Sequence, residues 1–307
     1  MIDVVIVNWN AGLQLKACVE SVINFNAGIV GKIIVVDNGS SDHSMQLIEN
    51  MPLVQPVFLA ENAGFARGCN QGALHATSAY ILFLNPDAAV YSDTLPAVFG
   101  CMESAEHRKT GICGVRLLDE LGHVARSCSR YPSPSRCVAQ SLGLDKFIPR
   151  LGAAMTEWDH LQNRFVDQVI GAFFLVRRDL FIQLNGFDEQ FFVYYEEVDF
   201  AYRAAKAGFG SYYLNDTSAF HLGGGVSNQV KARRLFYTLR SRLLYSVKHF
   251  SAAGNVVVLL STLVLEPLTR LALALVKRSG AAFKETLSGF GMLYRWLPQW
   301  LLHGKTR

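Results

Sequence analysis

With 307 residues, half of them apolar, the chain has enough material for one large or two ordinary domains around a sizeable core, and it is not a disordered chain. A formal charge of +4 is too mild to argue for a nucleic-acid partner; Lys and Arg crowd into 231–248, which points instead to an anionic membrane surface. Six cysteines without a CxxC pair exclude a small disulfide-stapled fold and fit reduced thiols in the cytoplasm.

The opening stretch, MIDVVIVNWN, lacks a basic n-region, carries Asp3 and breaks at Asn8, so it is predicted to be a buried strand rather than a signal peptide. Residues 2–7, 33–36 and 80–84 are short apolar runs, the first two rich in β-branched residues, as in parallel strands covered on both faces. Between the first two, Leu15, Val19, Val22 and Ile23 recur at helical spacing. The repeated βαβ pattern predicts an α/β fold: a Rossmann-like, mostly parallel sheet flanked by helices, with ligands at the carboxyl ends of the strands. Residues 101–165, with Pro132, Pro134 and Pro149, show no regular pattern and are assigned to an insert. Strand character returns over 168–176, and 196–208 is predicted to be a helix stopped by Gly208. A boundary near 228 divides a domain at 1–228 from a basic, then apolar, helical region at 229–307.

Each early strand runs into a polar cluster: Asn8-Trp9-Asn10, then Asp37-Asn38-Gly39-Ser40-Ser41-Asp42, then Asn85-Pro86-Asp87. Any one of these could be only a turn or a helix cap, but three would converge along one edge of the sheet. No GxGxxG follows the first strand, which disfavours a dinucleotide-dependent oxidoreductase. Instead ENAGFARGCNQG spaces Gly64, Gly68 and Gly72 by four, with Arg67 near a helix start. That arrangement suits phosphate oxygens or, equally, close helix packing.

Taken in order, VVIVNWN, VVDNGSSD, ENAGFARGCNQG, LFLNPDA, GFDEQFFVYYEEVDFAYRAAKAGF and HLGGG resemble the inverting glycosyltransferases of family 2, of GT-A fold, and most of all bacterial rhamnosyltransferases of surface polysaccharide synthesis. The resemblance covers about residues 1–250. It implies a nucleoside diphosphate donor, dTDP- or UDP-linked and best read as dTDP-rhamnose, and a glycan or lipid-linked acceptor hydroxyl. It also implies that Asp37 binds the base near Asn8, Asn10 and Asn38, and that Gly64, Arg67 and Asn85 lie along the donor. Asp87 stands in the family's metal-binding DxD motif, where the amide Asn85 replaces the first acid; His221 matches a histidine that serves some members as a metal ligand, a structural or substrate-contacting role being the alternative. An oxygen-rich site of this kind suits Mg²⁺ or Mn²⁺.

Three carboxylates in EEVD can be sorted by helical geometry. Asp199 lies four residues before Arg203 and can pair with it, and Glu196 falls on much the same side. Glu197 is turned away from that face by about 100° and is the least committed. The resemblance also implies that Glu197 is the general base, although most relatives carry Asp there. Glu196, Asp199 and Gly171 are taken as supporting residues. The competing reading is that all three acids favour a helix N-terminus electrostatically.

At the C-terminal end, VKARRLFYTLRSRLLYSVKHF places Leu235, Leu239, Leu243 and Val247 at helical spacing among basic residues, as for a helix lying on a bilayer. The apolar run 255–278 is interrupted by Glu266-Pro267 and Arg270. The part before the break is shorter than the roughly 20 residues a crossing needs. Two in-plane or packed helices are therefore predicted; a cap on the main domain or a homodimer interface is the alternative. The resulting expectation is an inverting, metal-assisted sugar transferase in the cytoplasm, at the inner face of the membrane, without a nucleic-acid partner. The alternative is a non-catalytic nucleotide-sugar-binding subunit. A two-acid glycoside hydrolase fits poorly, because it has no use for the clusters at 37 and 87.

Overall fold

The computed structural model describes residues 1–26, 28–223, 231–304 and 306. The boundary expected at 228 and the last two glycines of HLGGG lie outside the described residues. The strands are β1 Ile2–Asn8, β2 Val30–Asn38, β3 Val54–Leu59, β4 Tyr80–Leu84, β5 Ala88–Val90, β6 Thr110–Leu118, β7 Cys128–Ser129, β8 Arg164–Val166, β9 Gln168–Val169, β10 Phe173–Arg177 and β11 Gly210–His221. Nine of them form one sheet in the order β3-β2-β1-β4-β10-β6-β11-β5, with β8 beside β11, while β7 and β9 pair separately. β1 pairs in parallel with β2 and β4, and β10 runs antiparallel between β4 and β6, so the sheet is mixed. All seven residues of β1 are buried, as a strand covered on both faces requires.

Helix α1, Leu13–Asn24, buries Leu15, Cys18, Val19 and Val22, the predicted stripe. Helix α2, Phe65–Ala73, lies against β1 and β2 through glycines. A Cβ at Gly68 would sit 2.8 Å from Val7, and one at Gly72 2.4 Å from Val5. Close packing, rather than phosphate contact, accounts for these two positions. β3 escaped the sequence reading because Pro56 interrupts its pattern; it pairs only with β2, at the sheet edge where a proline is tolerated. The strand expected over 168–176 is two strands, separated at Ile170–Ala172, and the irregular middle contains β6, an interior strand of the sheet.

The chain divides into two compact units. One comprises 1–129, 158–189 and 196–225, and the other 130–157, 190–195 and 226–307. The first also contains α3 Thr94–Glu103, α5 Arg178–Gln183 and α6 Glu196–Lys206, and the second is helical: α4 Pro134–Ser141, α7 Lys231–His249, α8 Ala252–Leu260, α9 Glu266–Val276 and α10 Gly280–His303. Helix α7 was expected on a bilayer, but Leu239, Arg240, Arg242, Leu243 and Leu244 are all buried within this unit. Arg242 pairs with Glu266 at 2.5 Å and donates to Gln140 at 3.2 Å, and Arg270 pairs with Glu266 at 2.8 Å. Burial alone would raise the Glu266 carboxyl, but the two guanidinium charges and their hydrogen bonds outweigh it and hold it below its ordinary value.

Nor does Glu266-Pro267 break the apolar run. Helix α8 passes through a π-helical turn, Ser261–Leu265, straight into α9. Pro267 sits in the first turn of α9 and has no N–H to give, so it cannot serve the carbonyl of Leu263 four residues earlier. The Tyr294 hydroxyl donates to that carbonyl instead, at 2.6 Å. Tyr294→Phe should therefore cost about 1 kcal/mol in the presence of Pro267. With Pro267→Ala, whose amide can donate locally, the same change should cost markedly less. A urea-denaturation double-mutant cycle reads the difference, and additive effects would show that the two residues are not coupled.

Candidate active site

Asn8 and Asp37 are register partners at the ends of β1 and β2. The fully buried Asn8 amide donates to Asp37 at 3.2 Å, to Ser40 at 3.1 Å and to Ser44 at 2.8 Å. Asn10 accepts from the amides of Ser41 and Asp42 at 2.8 and 3.2 Å, joining the two strand-end loops. Asp42 accepts from the Gly12 amide and from Ser44; although its partial burial works the other way, these bonds hold its carboxyl below the usual range. Asn38 accepts from the Ala63 amide and donates to Asn62 and the Gly64 carbonyl, so it braces the loop that enters α2. Gly64 caps that helix at φ 89°, a left-handed position that glycine adopts without strain.

Arg67 projects from the first turn of α2, about half exposed, and makes a loose pair with Glu189 at 3.8 Å. Asn70 fixes Glu189 and the Phe187 backbone, donating to them at 3.2 and 2.8 Å. The sequence reading missed Glu189, Asn62 and Asn70. Of these only Asn62, two residues before a glycine, carries a local signal, that of an Asx turn.

Beyond β4, the Asn85 amide donates to the Ala172 carbonyl at 3.0 Å, and the Ala88 amide to the Asn85 carbonyl at 3.0 Å. The turn through Pro86 carries Asp87 to the pairing of β5 with β11, where His221 lies opposite Ala88. The His221 Nε2 and an Asp87 carboxylate oxygen are 3.5 Å apart, each side chain about one-eighth exposed. An oxygen and an imidazole nitrogen so placed fit two ligand positions of a divalent cation of the Mg²⁺ or Mn²⁺ kind. Among the described residues no third acid, histidine or cysteine joins them.

Ala172 leads back to Gly171, and a Cβ there would meet Glu197 Cβ and Cγ at 4.0 Å and the Phe65 ring at 3.9 Å. Asp87, Asn85, Gly171 and Glu197 are thus linked along one edge of the sheet. Glu197 is half-buried at the start of α6, Glu196–Lys206. Asp199 pairs with Arg203 at 2.7 Å, and Arg203 also donates to the carbonyls of Leu184 and Gly186, so this acid anchors the helix to the preceding loop. Glu196 does not share that pair; it is buried, and its Oε2 has no hydrogen-bond partner among the described residues. Burial first, and the Glu197 charge second, push its carboxyl well above the ordinary range. The aromatics before the acids belong to the helical unit, where Phe192 stacks on Tyr237 and Tyr195 packs on Tyr245. Tyr194 and Tyr195 both have left-handed φ, 68° and 74°, and turn the chain sharply into α6.

Residues 3–125, which hold the Asn8, Asp37 and Asp87 clusters, match the model of glycosyl transferase family 2. Over that span the chain is similar to the family 2 glycosyltransferases. Over 236 residues it is 27% identical to the N-acetylglucosaminyl-diphospho-decaprenol L-rhamnosyltransferase of Mycobacterium tuberculosis, covering 72% of this chain and 76% of that protein. It is 29% identical over 169 residues to rhamnosyltransferase WbbL of Escherichia coli, covering 54% and 61%. Among solved structures, the mannosyltransferase PcManGT of Pyrobaculum calidifontis, in complex with GDP-Man and Mn²⁺, aligns with a TM-score of 0.57 at 17% identity, over 99% of this chain and 81% of that one. TarS of S. aureus in complex with UDP-GlcNAc aligns with a TM-score of 0.55 at 16% identity, over 94% and 80%. These structural likenesses place the chain in the GT-A fold.

With its carboxyl raised by burial and by the Glu197 charge, Glu196 holds its proton in the fold to higher pH than the unfolded carboxyl, whose pKa is about 4.3. The native state then binds more protons than the unfolded one, so this group makes stability fall as pH rises above that value. Glu196→Gln removes the effect. Its melting temperature relative to wild type should climb as pH rises above about 4.3, whereas parallel profiles would mean that Glu196 is ionised in the fold.

Proposed function

We propose that the chain is an inverting transferase that moves rhamnose from dTDP-rhamnose to a hydroxyl of a glycan or lipid-linked saccharide, at the cytoplasmic face of the membrane. The observation that carries this reading is the linkage of the strand-end clusters to the acidic helix: Asp87 beside His221 at one end, and Glu197 beside Gly171 at the other, joined by the Asn85–Ala172 hydrogen bond. The relative named an N-acetylglucosaminyl-diphospho-decaprenol L-rhamnosyltransferase supports rhamnose as the sugar and a lipid-linked saccharide as the acceptor class.

Asp37, oriented by Asn8, accepts a hydrogen bond from the pyrimidine base of the donor. Arg67 exchanges its loose partner Glu189 for diphosphate oxygens, where a guanidinium binds as a charged fork. Glu197 takes the proton of the acceptor hydroxyl as that oxygen attacks C1 of the sugar. The bond from C1 to phosphate oxygen breaks, the nucleoside diphosphate leaves with the electron pair, and attack from the opposite face inverts the anomeric centre. Asp87 and His221 would hold a divalent cation, which would supply positive charge that stabilises the leaving group.

General-base assistance is worth about 10²- to 10⁴-fold. Glu197→Gln should lower transfer by that order while leaving donor affinity, measured by calorimetry, unchanged; near-normal turnover would remove Glu197 as the base. EDTA, and separately Asp87→Asn, should suppress release of free nucleoside diphosphate from labelled donors in the presence of acceptor. Full activity in EDTA would overturn the role given to Asp87 and His221.

A further inference from the structure

Charge is divided unequally along the chain. Residues 231–307 contain thirteen Lys and Arg against two acids, a net +11, while residues 1–230 contain sixteen against twenty-three, a net −7. The same C-terminal segment carries the largest apolar face. From Ala252 to Val276 the helical run is continuous over 25 residues, with a mean hydropathy of 1.9 across its most apolar window, of which only 22% is buried. At 1.5 Å per residue it extends about 37 Å.

Val256, Leu260, Val264 and Leu268 follow one another every fourth residue and are exposed by 52, 58, 51 and 61%, and Leu275 adds 67%. A stride of four drifts around an ideal 3.6-residue helix, and the wider π turn at Ser261–Leu265 offsets that drift, keeping the stripe on one side. The other side carries Val258, Ser261, Thr262 and Glu266, all buried, with Glu266 held by Arg242 and Arg270. A helix bound in this way along one flank presents a single apolar side and cannot expose its whole circumference to lipid. Next to the stripe, a groove of about 490 Å³ between α9 and α10, lined by Leu263, Pro267, Leu271, Leu287 and Phe290 among others, continues the apolar surface. Both lining hydroxyls are already engaged: Tyr294 donates to Leu263, and Thr286 to Ala282. Lys277, Arg278, Lys284 and Arg295 are exposed on the ends and flanks of these two helices.

We propose that this face of the helical unit lies in the plane of a bilayer leaflet containing anionic phospholipid, its Val256-to-Leu275 stripe among the acyl chains and its lysines and arginines at the phosphates. An apolar stripe flanked by positive charge is the pattern that such a surface recognises. A second copy of the chain is a poor occupant, because apposing the two faces would bring like charge against like charge. The assignment keeps the apolar run as the lipid-facing surface and leaves out of it the central turns of α7, buried from Leu239 to Ser246.

The test is flotation of the full chain with vesicles, which needs no donor and is therefore read separately from transfer. Wild type should float with phosphatidylglycerol–phosphatidylethanolamine vesicles, at least tenfold less with phosphatidylcholine alone, and less at 0.5 M than at 0.1 M salt. Leu260→Asp combined with Leu268→Asp, at exposed positions, should leave the thermal melt unchanged and lower binding at least tenfold. Lys277→Glu with Arg278→Glu should lower binding and weaken its salt dependence. Wild type that stays unbound with anionic vesicles, or a Leu260/Leu268 variant that floats equally well, overturns the assignment. So does a lipid-free dimer at micromolar concentration that the same variant dissociates.

Discussion

The parallel register of β1 with β2, which sets Asn8 opposite Asp37, is the constraint on which the polar edge of the sheet depends. Side chains alternate along a strand, so a slip of one residue would send these two groups to opposite faces of the sheet. The polar ends of β1 oppose a slip: Asp3 accepts from the Thr77 and Ser78 amides just before β4, and Asn8 donates to Asp37 at the end of β2. A buried amide then converts the register into a site: Asn8 has two N–H donors to place out of water, and Asp37, Ser40 and Ser44 surround them. On its other side β1 aligns β4, whose end delivers Asn85 to Ala172 and so ties the Asp87 turn to Gly171 and Glu197.

Within the helical unit, one ion-pair cluster has a comparable organising role. Glu266 lies inside an apolar helix and Arg242 inside a neighbouring one; either alone would be an uncompensated buried charge, so the two must meet. Their meeting turns the polar side of the 252–276 run inward and draws α7 into the core. What remains outside is apolar, bordered by lysine and arginine that no acid of the segment neutralises beyond Glu266 and Glu285. The charge bias and the exposed stripe thus follow from the same packing.

Parts of this arrangement were legible along the chain. β1, β2 and β4 were readable because apolar runs bounded by Asn and Asp clusters leave few alternatives to a buried strand. The Asp199–Arg203 pair was readable because a helix brings residues four apart together whatever surrounds it. β3 and β6 were not, since Pro56 interrupts one and the other stands in irregular sequence, so that only strand pairing reveals them. The two glycines Gly68 and Gly72 were ambiguous until Val7 and Val5 were seen pressing on them.

By itself the sequence determined the class of the sheet, the edge at which its polar clusters gather and the local pairs on helix α6, because these depend on periodicity and on contacts a few residues long. Only the tertiary structure decided which carboxylate is buried, that His221 stands beside Asp87, that Tyr294 serves the carbonyl Pro267 leaves behind, and which C-terminal helix turns its apolar side outward. Each of these depends on desolvation and on partners from 31 to 134 positions away in the chain, or on how whole helices share a core. No local pattern carries that information.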